Sequence, residues 1–576
     1  MNSLANPALN LRLPVWRSRL VLLALLLWFG GLAARALYLQ GMHNDFLQQK
    51  GDARYSRVIE ISAHRGMITD RNGDPLAIST PVESVWVSPD DVEITPGKQK
   101  QLTALLEMDK TELNKRLKET NKEFVYLKRQ ISPELAARVV QLGIPGVFLQ
   151  REYRRYYPAG EVMAHVLGFT GADDIGQEGL ELAYQDWLSG KPGSRRVIKD
   201  RLGHIVEDVE SIRAPQEGRA LALSLDSKIQ YLAYRELKQA VELNRAKAGG
   251  IVVLDAQSGE ILALANLPAY NPNNRTRLTP ANTRNRVITD LFEPGSTMKP
   301  FTIAAALESG KVTPETMIET APGQFAVGNA IIHDAHHEAE LSVAQVIQKS
   351  SNIGAAKIAL SLNAQTLWSL FNKVGFGTPP RSGFPGEGSG KLRPYKSWRP
   401  IEQATLSYGH GISVSLLQLA RAYTVFAGDG ELLPLSLTRL ETPPSGVPVI
   451  SPATAHKVRA MLEMVVEPGG TAPRAQILGY RVAGKTGTAH KLENGNYAGD
   501  RYVSSFVGMA PASNPRLIVA VMLDEPSAGQ YYGGTVAAPV FSQVMAGSLR
   551  IFGIAPDAPS DNVVLPVNLP EIKEEV

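Results

Sequence analysis

FEPGSTMKP, residues Phe292 to Pro300, sets a serine, Ser296, three positions ahead of a lysine, Lys299, just after a Pro-Gly turn. Two readings compete. In the plain one, Ser296 caps a surface helix, as serines at helix starts commonly do. In the other, Ser296 is a nucleophile and Lys299 its base. Residues at i and i+3 share one face of a helix, so the two side chains meet if Ser296 opens one. Pro300 is tolerated in a first turn. A helix start also supplies positive field and backbone N–H groups for an oxyanion. Lysine is a poor base at its usual pKa of about 10.4, and burial beside a second cation would improve it. Ser-x-x-Lys alone arises by chance about once in a chain of this size, so the decision lies elsewhere in the sequence.

The second cation is found in AGKTGTAH, Ala483 to His490. This is a β-prone stretch flanked by glycines. On a strand Thr486 and Thr488 share a face and can offer two hydroxyls to a substrate carboxylate beside Lys485. Gly487 would let a ligand lie against the backbone. Between the two blocks lies KSSNIGAAKIA, Lys349 to Ala359, which carries Ser350 and Asn352. Ser-x-Asn is weak alone, since Ser361 and Asn363 match it too. The order Ser-x-x-Lys, Ser-x-Asn, Lys-Thr-Gly is what carries weight, and the first and third occur once each.

Around these blocks the pattern alternates between strands and helices. GGIVVLDAQSGEILALAN (Gly249 to Asn266) reads as a hairpin, and Arg501 to Pro526 repeats the design. Helices are expected over Gln99–Thr120, Ser224–Asn244 behind Asp226, Ser296–Leu307, Ser342–Leu362 and Leu416–Phe426. Helices lying between two groups of strands predict one antiparallel sheet assembled from both ends of a domain, with helices packed on it. RGMITDRNGDPLAIS (Arg65 to Ser79) reads as strand, Asn-Gly turn, strand. Asp70, Asn72 and Asp74 imitate a calcium loop, but Pro75 stands where that loop needs glycine. Tyr153 to Gly171 reads as a packed loop, Thr442 to Pro452 as a loop, and the chain from Pro556 as a loose tail.

The 576 residues exceed one ordinary core, so two or more domains are expected. The formal net charge of +4 and the absence of a long Lys/Arg block argue against nucleic-acid binding. With no cysteine, disulfides, thiol nucleophiles and thiolate metal sites are excluded. Three of the ten histidines sit with three acids in HDAHHEAE, His333 to Glu340. That order is not the His-Glu-x-x-His of a metalloprotease, and a solvated loop is the expected reading. Near the N-terminus Arg12, Arg17 and Arg19 precede an uncharged apolar run from Leu20 to Ala34, extended by ALYLQGM. Cations ahead of a span place the N-terminus in the cytoplasm and the body outside. A cleaved signal peptide is the competing reading. Arg35 within the small-residue site, and Leu37 and Leu39 beyond it, favour an uncleaved anchor.

The three ordered blocks are the signature of penicillin-binding proteins and serine β-lactamases. RGMITDRNG, RRYYPAGEVMAHVLGF, GQEGLE, FEPGSTMKP, QKSSN, YGHGISVSLLQLARAY and VAGKTGTA together resemble a class B penicillin-binding protein of the cell-division type (the penicillin-binding protein 3 family). The resemblance covers nearly the whole chain after the anchor, and no glycosyltransferase block precedes Ser296. It implies an α/β (α+β) transpeptidase fold, a five-stranded antiparallel sheet flanked by helices. An elongated N-terminal pedestal and one membrane helix complete it. The boundaries expected are 1–19 for a cytoplasmic tail, 20–40 for the anchor, 45–235 for the pedestal, 236–553 for the transpeptidase domain and 554–576 for a flexible tail. The resemblance further implies that Ser296 attacks a D-Ala-D-Ala stem peptide and that an amine from a neighbouring stem takes the acyl group. Lys299 is then the base, Ser350 and Asn352 hold it and the substrate, Lys485 tunes the site, and Thr486, Gly487 and Thr488 bind the carboxylate. Backbone N–H groups of Ser296 and Thr488 form the oxyanion hole. Tyr502, Tyr531 and Tyr532 align with aromatic pocket residues. No metal or organic cofactor is implied. β-Lactams are expected to acylate Ser296. The setting implied is the bacterial inner membrane, with the catalytic domain in the periplasm and a membrane glycosyltransferase and other division proteins as partners. Two alternatives stay open: a non-enzymatic β-lactam sensor or division scaffold, and a D,D-carboxypeptidase, from which a transpeptidase differs only in the acceptor.

Overall fold

The computed structural model describes residues 14–39, 56–119, 122, 124–199, 205–493 and 496–563. The expected tail thus falls partly outside them, as do residues 1–13. The apolar N-terminal run forms helix α1 (Val15–Leu37), exposed along its whole length. Its 23 residues span roughly 34 Å at 1.5 Å per residue, enough for a hydrocarbon core of about 30 Å. Among the described residues it is the one helix long and apolar enough to cross a membrane.

By packing, the chain divides into two units. The first holds residues 1–63, 81–152 and 191–216, and the second holds 64–80, 153–190 and 217–576. The sequence expectation set one boundary near residue 235. Residues 64–80 and 153–190 join the second unit because Ile68, Leu76, Val166, Leu167 and Leu180 lie in its core, and their charges are paired within it. Glu181, fully buried, accepts from Arg65 Nε at 2.7 Å and from Arg155 Nε at 2.6 Å. Asp70 accepts from Ser227 Oγ at 2.8 Å and from the turn amides of Asn72 and Asp74. A buried charge held this way is stable only as a set, since removing one partner strands the others.

In the first unit, β1 (Ser56–Ile61) begins a three-stranded antiparallel sheet with two later strands. From Pro81 onward β2 (Pro75–Val87) belongs to this unit. Two helices follow, α2 (Pro96–Leu106) and α3 (Lys110–Leu117). A single helix was expected here. It breaks at Glu107, which turns left-handed at φ 49°, and Asp109 then caps α3 by accepting from Thr111 N. The strand β3 (Val125–Ile131) pairs antiparallel with β2, and α4 (Pro133–Gln141) and β4 (Val147–Tyr156) come next, β4 belonging to this unit as far as Glu152. Val85, Val87, Leu102, Leu106, Leu113, Leu127 and Val139 fill the core. Strands β5 (Gly193–Lys199) and β6 (Ile205–Arg213) complete the sheet with β1, in the order β1–β5–β6.

The second unit is built on five strands. Helix α5 (Ser227–Leu243) starts where Asp226 accepts from Lys228 N and Ile229 N. It buries Ile229, Ala233, Leu237 and Ala240, a spacing that marks one helical face. Then come β7 (Ala248–Asp255) and β8 (Ile261–Leu267), each buried at nearly every residue, as expected for strands covered on both faces. The middle of the unit supplies α6 (Lys299–Glu308), α7 (Val343–Lys349), α8 (Asn352–Ser361) and α9 (Pro452–Met464). The chain returns to the sheet with β9 (Ala483–Glu493), β10 (Asn496–Ala510) and β11 (Leu517–Asp524), and ends with α10 (Ala538–Ile551). Sheet order is β8–β7–β11–β10–β9, antiparallel throughout. Register fixes Val521 opposite Ile251 and Thr486 opposite Phe506. β9 is therefore an edge strand, reached from the far end of the sequence. Residues just past α10, expected to be loose, are tied down. Asp557 accepts from Arg481 N and Ser513 Oγ, and Asn562 donates to Ile477 O and Tyr480 O.

Candidate active site

The turn carrying Ser296 is a 3-10 turn, Gly295–Met298, that feeds directly into α6. Gly295 sits at φ 56°, a backbone conformation glycine adopts without strain. Thr297 Oγ1 donates to Pro294 O at 2.8 Å, and the buried Tyr423 OH donates to Thr297 O at 2.9 Å. Below the turn Phe301 packs against Phe376, Tyr423 and Phe426 at ring distances of 5.3, 5.5 and 4.9 Å. The turn is thus fixed from inside. Lys299 Nζ lies one turn on, fully buried, and donates to Ser296 Oγ at 2.9 Å.

Ser350 reaches the same ammonium. The helix expected over Ser342–Leu362 is two helices, because Ser350 adopts φ 60°, ψ 38° and ends α7. This break, not helical spacing, aims the serine at the site. Lys299 Nζ donates to Ser350 Oγ at 3.1 Å and to Ser350 O at 2.5 Å. A left-handed serine costs of order 1–2 kcal/mol, strain of the kind stored where geometry matters. Asp334 holds the next residues. It accepts from Ser351 Oγ at 2.5 Å, Asn352 N at 2.6 Å and Ile353 N at 3.0 Å. Asp334 comes from the histidine-rich HDAHHEAE stretch and is buried, so part of that supposed solvated loop is an anchor for the Ser-x-Asn block. Sequence reasoning missed it. The signal available was an acid among residues read only for metal spacing. Among the described residues no group of three or more metal-ligating side chains is clustered.

β9 closes the other side. Lys485 Nζ, also fully buried, donates to Ser350 Oγ at 2.9 Å and to Thr486 Oγ1 at 3.2 Å. Ser350 Oγ therefore sits between two lysines, and Ser296, Lys299, Ser350 and Lys485 form one hydrogen-bonded chain. Thr486 Oγ1 also lies 3.0 Å from Thr471 Oγ1, a partner the sequence did not flag. Thr488 Oγ1 accepts from Gly533 N at 3.0 Å. Gly487 was read as room for a ligand. That room is taken by the Ser296 turn: a Cβ there would lie 2.7 Å from Pro294 O and 2.9 Å from Thr297 Cγ2. Glycine is what lets the strand and the turn touch.

The three tyrosines gather as well. Tyr502 and Tyr531 stack at 4.0 Å and 7°, and Tyr531 meets Tyr532 at 4.4 Å. His490 extends this wall, 4.7 Å from Tyr502. Asn352 is buried at the start of α8, its backbone fixed by Asp334. The segment 407–414 clasps the Ser296 turn. Thr302 Oγ1 donates to Ser407 O at 2.9 Å, Gly411 N donates to Glu293 Oε1 at 2.8 Å, and Phe292 pairs with Val414. Gly409, at φ 92°, packs so closely that a Cβ would lie 2.2 Å from Gly295 O.

A buried serine–lysine pair, relayed through a second serine to a second lysine beside an antiparallel sheet, defines a serine acyl-transfer enzyme. The family model "Penicillin binding protein transpeptidase domain" matches residues 249–546, and "Penicillin-binding Protein dimerisation domain" matches residues 60–223. The chain belongs to the penicillin-binding protein transpeptidase family. It is 46% identical over 547 residues, 94% of each chain, to a protein of Neisseria gonorrhoeae named probable peptidoglycan D,D-transpeptidase PenA. It is 42% identical over 550 residues to the peptidoglycan D,D-transpeptidase FtsI of Escherichia coli K12, covering 94% of this chain and 93% of that one. Among solved structures, the transpeptidase domain of Burkholderia pseudomallei penicillin-binding protein 3 is 51% identical. It covers 58% of this chain and 98% of that one, with a TM-score of 0.55.

Proposed function

We propose that this chain cross-links peptidoglycan during septal wall synthesis, with Ser296 as the acylated residue. The observation that carries the reading is the shared hydroxyl: Ser350 Oγ accepts from both Lys299 and Lys485, while Lys299 also contacts Ser296 Oγ. In the first half-reaction Lys299 takes the Ser296 proton as Oγ bonds to the carbonyl carbon of the penultimate D-alanine. Backbone N–H groups of Ser296 and Thr488 hold the oxyanion. The C–N bond breaks, the proton passes through Ser350 to the leaving nitrogen, and the terminal D-alanine departs. In the second, the amine of a neighbouring stem bonds to the acyl carbon, Ser296 Oγ leaves, and the amine proton returns to it by the same relay. Thr486 and Thr488 bind the donor carboxylate through their hydroxyls, Gly487 lets β9 close on the Ser296 turn, and Asn352 orients the donor amide. Tyr502, Tyr531 and Tyr532 wall the pocket. β-Lactams acylate the same serine by imitating D-Ala-D-Ala.

The first unit serves as a pedestal, and α1 anchors the protein in the inner membrane with its N-terminus cytoplasmic and the catalytic unit in the periplasm. A membrane glycosyltransferase and other division proteins are the partners proposed. The test is a thioester or D-Ala-D-Ala donor offered with and without an amine acceptor. Transfer product forming in competition with hydrolysis is the expected result. Hydrolysis alone at saturating acceptor would make the protein a carboxypeptidase.

A further inference from the structure

Glu293 is a half-buried carboxylate three residues before the nucleophile, and its partners are neutral. It accepts from Gly411 N at 2.8 Å and from Tyr497 OH at 3.2 Å. Among the described residues no lysine, arginine or histidine pairs with it. Burial pushes its carboxyl above the usual range. A desolvated anion held only by one amide and one phenol is an expensive arrangement to keep beside a catalytic serine.

Aromatic and imidazole rings gather beside it. Tyr497 lies 6.2 Å from His410 and 6.4 Å from His490, and His410 lies 5.2 Å from Tyr408. Burial, together with the charge of Lys299, holds the His410 imidazole down at about 4, so at neutral pH it is an uncharged ring with one acceptor nitrogen. His490 Nδ1 is buried without a hydrogen-bond partner. The cluster thus offers a carboxylate, unpaired ring nitrogen and aromatic faces, the chemistry that recognises an organic cation. It also lies next to the Ser296 turn. Gly409, next to His410, packs on Gly295, next to Ser296. His490 follows Thr488 by two residues on β9, on the same face.

We infer that Glu293, His410, His490 and Tyr497 form a subsite for the protonated primary amine of a stem peptide. This rests on the transpeptidase reading above. The same chemistry has two sources, a side-chain amine on the donor stem or the acceptor amine before it attacks, and the experiment separates them. In the donor arm, the wild-type protein is given two donors that differ only in the residue before D-Ala-D-Ala, lysine or Nε-acetyl-lysine. In the acceptor arm, KM for a primary amine acceptor is measured with the acetylated donor. Both arms are repeated with Glu293→Gln, which keeps an acceptor for Gly411 N and removes the charge. The expected result is a preference of about ten-fold or more, from a charge-assisted contact, in one arm. Glu293→Gln should abolish it there and leave the other arm unchanged. The arm that responds names the source. No donor preference together with an acceptor KM unmoved by Glu293→Gln overturns the inference, as does a preference that survives Glu293→Gln. Acylation by an uncharged penicillin runs alongside as the control for folding and for Ser296. If wild-type acylation fails, the transpeptidase reading falls. If it succeeds without amine preference, only the subsite falls. The wild-type comparison stands even if the variant does not fold.

Discussion

Replacing Ser350 with alanine removes one oxygen and tests the relay directly. Ser350 Oγ contacts both Lys299 Nζ (3.1 Å) and Lys485 Nζ (2.9 Å). Without it Lys299 still reaches Ser296 Oγ and Ser350 O, so the base stays near its serine. What is lost is the path from Lys299 toward the leaving nitrogen and the link to Lys485. A positioned proton-transfer group contributes about 10²–10⁴ in rate, and the retained contacts argue for the lower half of that range. The second-order rate of acylation by a fluorescent penicillin should therefore fall by about 10²–10³, equivalent to roughly 3–4 kcal/mol of barrier. Ser350→Gly is the companion. It also removes Oγ, but glycine accepts the left-handed φ of 60° freely, so stability should change by no more than about 1 kcal/mol. If the hydroxyl matters, both variants lose the same rate by stopped-flow fluorescence. Acylation within about two-fold of wild type in Ser350→Ala, with the fold intact by circular dichroism, would refute the relay. A large gap between the two variants would shift the role to the backbone.

Asp334→Ala removes three hydrogen bonds at the start of α8 and should lower thermal stability by about 1–3 kcal/mol and slow acylation. Asp334→Asn should recover part of both, measured by calorimetry and penicillin labelling. Gly487→Ala drives a methyl to within 2.7 Å of Pro294 O and should separate β9 from the nucleophile turn, cutting labelling by at least about ten-fold. Burial holds the imidazoles of His165 and His410 at about 4 in the folded protein. The unfolded chain takes up those protons near 6.5, so it binds more protons between the two values. Stability should be full above about pH 6.5 and decline toward pH 4, by up to roughly 3 kcal/mol per histidine. A urea titration series across that window checks the sign, and His410→Gln should flatten the slope.

The parts of this site that read clearly from sequence are those fixed by local chemistry. Ser296 and Lys299 meet because a Pro-Gly turn opens a helix, and Lys485 arrives on a strand whose glycines and threonines announce it. A single antiparallel sheet assembled from both ends of the domain followed from the order of apolar runs, and its five strands from the family resemblance. What escaped was set by tertiary contacts. The break at Ser350 has no glycine to mark it, since a serine is held left-handed by the lysines it meets and by the helices on either side. Asp334 lay among histidines in a stretch expected to be a solvated loop, when it anchors the start of α8. The break at Glu107 was hidden by a continuous amphipathic pattern across Asp109. The assignment of 64–80 and 153–190 to the second unit depends on Ile68, Val166, Leu167 and Leu180 entering its core and on Asp70 meeting Ser227, and no local pattern records such meetings.

The central claim is that Ser296 is the residue that becomes acylated. Intact mass after incubation with penicillin, followed by peptide mapping, measures it most directly. The account predicts one adduct per chain, carried by the peptide containing Ser296, and none in Ser296→Ala. An adduct on another residue, or full labelling of Ser296→Ala, would contradict it.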